Sequence, residues 1–214
     1  MLRFKNLLNL TGDRLHTLPM VILYLTDGCN SRCKTCDIWQ NPRRNMTMSL
    51  VESIVDTTEE LGIRYVLLSG GEAMQHPQWD TIAAKFRTKN VHVMLLTNGI
   101  FLKKQANRLL NTVDEVIVSL DAATPKLYEE IRGVDAYQLI LDGIDAVRAL
   151  GIPVTTRTTV QRENYHQIPC IIDVALQHDV NTISFLPMDM SNPFAFGERD
   201  TTDTAGLLDG ENLT

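Results

Sequence analysis

Three cysteines fall within eight residues: Cys29, Cys33 and Cys36 in GCNSRCKTC, directly behind the apolar run Met20 to Leu25. The chain holds four cysteines in all, so this crowding at the mouth of a strand is chemical rather than compositional. In a chain of cytoplasmic type, clustered thiols bind metal rather than build a disulfide framework. Three thiolates on one short loop suit a cubane iron–sulfur cluster, whose irons take one cysteine each, and one iron would then lack a protein ligand. The rival is a structural zinc site, which needs a fourth ligand; no second CxxC pair or HxxxH follows, so His16, His76 or His92 would have to complete it by folding. Cys170, in IPCIIDVAL on an amphipathic helix, reads as a small buried hydrophobe.

Further polar residues recur where apolar runs end. Gly70, Gly71 and Glu72 follow the run ending at Ser69; Asn98 and Gly99 follow Thr97; Ser119 and Asp121 stand two apart at the end of EVIVSL. A glycine pair after a strand suits either a turn or a backbone approached closely by a ligand. Asn98-Gly99 is a common turn pair. Alternation puts Ser119 and Asp121 on one side, although Asp121 also suits a turn acceptor before the next helix. Arg157 interrupts VTTRTTV, where an unpaired charge facing inward is expensive, so either a carboxylate meets it or it points outward. Arg132-Gly133, Tyr128 and Tyr137 read as scaffold or substrate-side features. Phe185, Phe194 and Phe196 pack on the body or face a substrate.

The elements that must position these residues alternate between short β-prone runs and longer amphipathic stretches, the pattern of a parallel sheet built from strand–helix units. Strands are expected at 20–26, 64–69, 91–96, 115–120, 153–160 and 181–186. Ser49 with Glu52 suits a capping box, Thr124 before Pro125 an N-cap and first turn, and Asn164 with Gln167 another helix start. Gly62 and Gly151 stand where helices end in a left-handed residue. Six units are too few for the eight of a closed barrel, which leaves an open partial barrel or a doubly wound sheet. In either, the singled-out residues lie at the C-terminal ends of strands and share one face.

At 214 residues with 44% hydrophobic and 21% charged content, the chain has the composition of a soluble globular protein. No apolar stretch approaches the ~20 residues that span a bilayer, and MLRFKNLLNLTGDRLH lacks the apolar core of a signal peptide, so no membrane association and a cytoplasmic location are expected. The formal charge of -6 offers no footprint for nucleic acid. Residues 197–214 carry five acids against Arg199 and supply -4 of that charge. The expected division is an N-terminal extension over 1–19, a core domain over 20–187, and an acidic tail or start of a linker over 188–214.

With these residues in view, the chain resembles the radical S-adenosylmethionine (radical SAM) superfamily. The resemblance rests on CxxxCxxC at Cys29, Cys33 and Cys36, on SGGEA at 69–73, and on TNG at 97–99, SLDA at 119–122 and EEIRG at 129–133. It is strongest to members that modify peptides or build cofactors, of SPASM type or like those of molybdenum-cofactor biosynthesis, and it covers about Met20 to Pro187. Thr35 stands where the family often has an aromatic residue, which bears on adenine contacts and not on ligation.

The resemblance implies an α/β fold, a partial (β/α)6 TIM-like barrel, with the site at the C-terminal ends of its parallel strands. It implies a 4Fe-4S cluster on the three cysteines and S-adenosylmethionine chelated to the open iron, contacted by Gly70, Gly71, Glu72, Asn98, Ser119, Asp121 and Arg157, the last meeting its carboxylate. The implied activity is reductive cleavage to a 5'-deoxyadenosyl radical that abstracts hydrogen from a small molecule or peptide, an oxidoreductase or related radical reaction. A flavodoxin or ferredoxin would supply the electron. The alternative is a non-catalytic iron–sulfur or zinc domain for electron transfer or structure. Since no cysteine follows Cys170, one cluster per chain is expected, with a C-terminal region, partner or second subunit closing the site.

Overall fold

The computed structural model describes residues 7–188. The acidic segment, with Phe194 and Phe196, lies outside the described residues. Six strands run in the order of the sequence: β1 Met20–Tyr24, β2 Tyr65–Ser69, β3 His92–Thr97, β4 Glu115–Ser119, β5 Val154–Val160 and β6 Thr182–Pro187. All neighbouring pairs are parallel and the order across the sheet is β1-β2-β3-β4-β5-β6. A doubly wound sheet reverses its strand order at a switch point, and this one never does. Each unit instead adds to the same edge, as in a barrel, and among the described residues β1 and β6 are the edges of the sheet.

The helices fill the connections: α1 Met48–Asp56, α2 Thr58–Leu61, α3 Trp79–Thr88, α4 Leu102–Leu109, α5 Pro125–Arg132, α6 Tyr137–Ala149 and α7 Ile168–Gln177. Alternate strand residues, among them Val66, Leu68, Val93, Leu95, Val116, Val118 and Val154, are fully buried with Ile82, Phe86, Leu102, Ile140 and Ile144. The intervening residues near the strand ends, Tyr24, Ser69, Leu96, Ser119, Arg157 and Leu186, line a cavity on the other face.

Several expected details shift. Helix α1 is capped by Thr47, whose Oγ1 accepts from the Leu50 amide at 3.3 Å, so Ser49 and Glu52 lie inside the helix and form no capping box. Thr124 occupies the N-cap ahead of Pro125, as expected, but without a side-chain cap bond. Asn164 precedes a 3-10 turn, and its amide goes elsewhere, to the carbonyls of Asp121 and Thr159. Gly62 and Gly151 take positive φ, 65° and 75°, where helices end. Cys170 is exposed, not buried: it sits on the outer side of α7, which turns Ile171 and Ala175 inward. Strand β1 ends at Tyr24, two residues early, because Thr26 turns to an antiparallel bridge with Asn45.

Candidate active site: a three-cysteine cleft

The cysteine loop is a closed structure stapled at its base. The Asp27 amide donates to Arg44 O at 3.0 Å and the Met46 amide to Leu25 O at 2.8 Å, so residues 28–43 leave and return at one point. Its middle is held by the end of α5: the Arg32 amide donates to Arg132 O at 2.9 Å and the Lys34 amide to Ile131 O at 3.0 Å. Those carbonyls are free because a helix leaves its last acceptors without internal partners. Gly133 ends α5 at φ 66°, and a side chain there would collide with Arg32. The three thiols thus face a cavity of about 590 Å3.

The loops after β2 and β3 brace this arrangement from behind. The Gly71 amide donates to Thr26 O at 2.7 Å and the Glu72 amide to Gly28 O at 2.8 Å. Gly70 and Gly71 line the cavity, but a reason for two glycines lies on their other side, where a Cβ on either would strike the backbone of Thr26 to Gly28. Glu72 is buried and does not line the cavity. Its Oε1 accepts from the Met74 amide at 3.0 Å and Thr97 Oγ1 at 2.9 Å, and its Oε2 from the Asn98 amide at 2.7 Å. Burial pushes its carboxyl above the ordinary range, against the opposing pull of these donors. Asn98, so placed, extends Nδ2 to Asn30 Oδ1 at 2.7 Å and Ser31 Oγ at 3.1 Å, reaching the cysteine loop itself.

At the ends of β4 and β5, Ser119, Arg157 and Thr159 line the cavity while Asp121 stands behind it. Asp121 is not a cap for α5: its Oδ1 accepts from the Thr159 amide at 2.7 Å and its Oδ2 from Arg132 Nη1 at 2.9 Å. Arg132 is the residue that sequence reasoning missed. It lines the cavity with the cysteines, and only the EEIRG resemblance gave any signal for it. Burial works against its charge, but Cys33, Asp121 and Tyr128 hold its pKa well above the ordinary value. Tyr128 and Tyr137 are scaffold: their rings pack 5.8 Å apart, and the Tyr137 hydroxyl donates to Ala123 O. Arg157 faces the cavity, and its Nε is buried with no hydrogen-bond partner. No carboxylate among the described residues meets this guanidinium, so an anionic ligand group fits there.

A metal centre fits the cysteines on similar grounds. Burial pushes all three thiols above their ordinary value, Cys36 to about 11, so an apolar environment alone would keep them protonated and inert. Metal ligation reverses this by stabilising the thiolates. The histidines that zinc would need are elsewhere. His76 Nε2 lies 3.0 Å from Met46 O, and its Nδ1 accepts from the Gln78 amide. His92 stands at the start of β3 against Tyr65, at the opposite end of the sheet from the cysteines. Next to His16, Thr17 bonds Leu61 O below the start of β2. Among the described residues, no three His, Cys, Asp or Glu side chains group around a single ion. A cubane asks for less convergence, because its ligands are spread over several irons.

The described residues thus form an open six-unit parallel barrel with a three-cysteine loop behind its first strand. The chain belongs to the Radical SAM superfamily, which it matches over residues 23–175. The cofactors of that family are a 4Fe-4S cluster and S-adenosylmethionine. A probable GTP 3',8-cyclase of Sulfolobus acidocaldarius is 26% identical over 192 residues, covering 86% of this chain and 61% of the relative. An AdoMet-dependent heme synthase of Methanosarcina barkeri is 29% identical over 164 residues, covering 73% and 47%. The fold matches SuiB of Streptococcus suis bound to S-adenosylmethionine, with a TM-score of 0.76 at 17% identity, over 92% of this chain and 47% of SuiB. SuiB has also been solved with its precursor peptide SuiA. The chain therefore spans about half to three-fifths of the length of these proteins. Among the described residues, no helix is long and apolar enough to cross a membrane.

Proposed function

We propose that residues 20–187 form the catalytic core of an enzyme that cleaves S-adenosylmethionine reductively and directs the resulting radical at a small molecule or peptide. The observation that carries this reading is one cavity with three thiols on one wall and, on another, the half-buried Arg157, whose Nε is buried without a hydrogen-bond partner among the described residues. Cys29, Cys33 and Cys36 hold the cluster. When bound, the cluster and S-adenosylmethionine supply a one-electron break of a sulfur–carbon bond, giving methionine and a carbon radical that takes hydrogen from substrate.

The chain's own residues then have distinct tasks. Arg157 receives the carboxylate of S-adenosylmethionine through a charge-assisted contact. Gly70 and Gly71 present backbone to its methionine end, and Ser119 offers a hydroxyl toward its ribose. Asn98 lines the same cavity while holding the cysteine loop, and Glu72 and Asp121 act through the residues they grip. Thr35, on the cavity wall, leaves room where an aromatic ring would stand. A low-potential protein such as a flavodoxin or ferredoxin delivers the electron in the cytoplasm, where thiols stay reduced. The proteins named above are a GTP cyclase, a heme synthase and one solved with a bound precursor peptide, and a cavity open on one side admits either a small molecule or a peptide segment.

The test is formation of 5'-deoxyadenosine after anaerobic reconstitution and dithionite reduction. Product should form with the unaltered protein and vanish, together with iron, on changing any of Cys29, Cys33 or Cys36 to Ala. Iron bound without 5'-deoxyadenosine would make the domain an electron carrier instead; zinc bound tightly in place of iron would make it structural.

A further inference from the structure

Arg132 combines two attachments that scaffold alone does not require. Its backbone carbonyl holds the Arg32 amide at 2.9 Å, next to Cys33, while its side chain enters the cavity lined by the three thiols. That side chain is 13% exposed, and its hydrogen-bonded counterion, Asp121, is 4% exposed. The Nε is buried without a partner, so the guanidinium is not saturated by the described residues. A buried ion pair of this kind is poor value for stability, since well-packed apolar residues often serve as well. Its use must lie in where it places the charge. Arg132 lines the same cavity as all three thiols, and its charge favours their ionised form. Because one residue carries both the loop contact and the charge, cation and cysteines keep a fixed separation.

We propose that Arg132, seated by Asp121, is the buried countercharge of the iron–sulfur cluster and sets its reduction potential. Reduction takes one electron from an external one-electron donor and adds one negative charge to the cluster. In a low-dielectric site, a fixed cation nearby stabilises that extra charge and raises the potential. Asp121 moderates the effect, since its carboxylate cancels part of the field it helps to place. This inference rests on the three cysteines holding the cluster.

The test is a reductive titration, followed by electron paramagnetic resonance, of anaerobically reconstituted protein without S-adenosylmethionine. The unaltered chain is compared with R132Q, R132K and D121N. R132Q should make reduction at least tenfold less favourable, which is about 59 mV lower for a one-electron couple. R132K, which keeps the charge, should stay within a few-fold, and D121N should move the potential upward. A merely structural role would shift R132Q and D121N in the same direction or not at all, and either result overturns the proposal. If R132Q fails to hold a cluster, D121N decides: a potential unchanged or lowered is equally fatal. Absence of any cluster signal in the unaltered protein would instead remove the ligand assignment on which the inference stands.

Discussion

Replacing Gly71 by Ala tests whether the cysteine loop is held by close backbone packing. A Cβ on Gly71 would lie 2.8 Å from Gly28 C and 2.9 Å from Asp27 O, and closer still to Gly28 O. An ordinary contact is about 3.4 Å, so the loop must retreat by at least about 0.6 Å. The obstructing atoms are backbone, and two hydrogen bonds tie them in place, Gly71 to Thr26 and Glu72 to Gly28. Overpacking of this kind costs about 1–3 kcal/mol, and weakening those bonds adds to it at about 0.5–1.5 kcal/mol each, so a loss of about 2–6 kcal/mol is expected. For a chain of this size that is a fall of roughly 4–24 °C in Tm. Gly28 adjoins Cys29, and metal sites tolerate ligand errors of only about 0.2 Å, so iron content should fall as well. Gly151→Ala is the control. It meets nothing within 4 Å but sits at φ 75°, so it should cost about 1–2 kcal/mol of backbone strain and leave iron unchanged. Thermal unfolding and iron analysis of both variants decide the matter. A Gly71→Ala protein as stable and as iron-replete as the original would refute the packing argument.

Arg157→Leu should weaken S-adenosylmethionine binding by ~1.5–3 kcal/mol, the worth of a hydrogen bond to a charged group, with iron content intact; calorimetry showing equal affinity would place Arg157 outside the site. Asn98→Ala removes the bonds to Asn30, Ser31 and the Ile100 amide and should cost about 1.5–4 kcal/mol in chemical denaturation, with partial loss of iron. Burial raises the Glu72 pKa above its unfolded value, so the folded state holds that proton more tightly, and stability should decline as pH rises from the ordinary carboxylate range through the raised pKa. Glu72→Gln should flatten that part of the stability–pH curve, and an unchanged slope would place the ionisation elsewhere. Cys170→Ser, at an exposed site, should change stability by no more than about 0.5 kcal/mol and leave the cluster in place.

The strands were legible because β-prone runs broken by helix-length stretches leave few alternatives, and each observed strand starts and ends within two residues of its expected bounds. The cysteines were legible because spacing on one loop is local information. What sequence could not show is which side of a residue is used. Glu72 and Asp121 look like ligand contacts in the chain, yet their oxygens are taken by backbone and side-chain donors from distant strands. Arg132 looked like scaffold because its partners, Arg32 and Cys33, are about a hundred residues away and meet it only when α5 docks on the loop. Cys170 was misplaced because periodicity identifies an apolar face without fixing where its border falls, and the cysteine stands beyond that border.

The docking of α5 on the cysteine loop also decides which protons surround the sulfurs. Amide-to-sulfur hydrogen bonds are one of the means by which a protein adjusts an iron–sulfur centre. The amides of Arg32 and Lys34, on either side of Cys33, are already spent on the helix carbonyls, whereas the Ser31 amide remains turned to Cys29 at 3.4 Å. The three sulfurs are therefore electronically unequal before any ligand arrives. Cys29 sits with the Ser31 amide and Asn98 Nδ2, the latter at 3.8 Å, whereas Cys33 has its own amide and feels the charge of Arg132 more strongly than that of any other group. In a cluster held by these cysteines, such asymmetry would give the iron atoms distinct characters, which spectroscopy of selectively labelled iron would read directly.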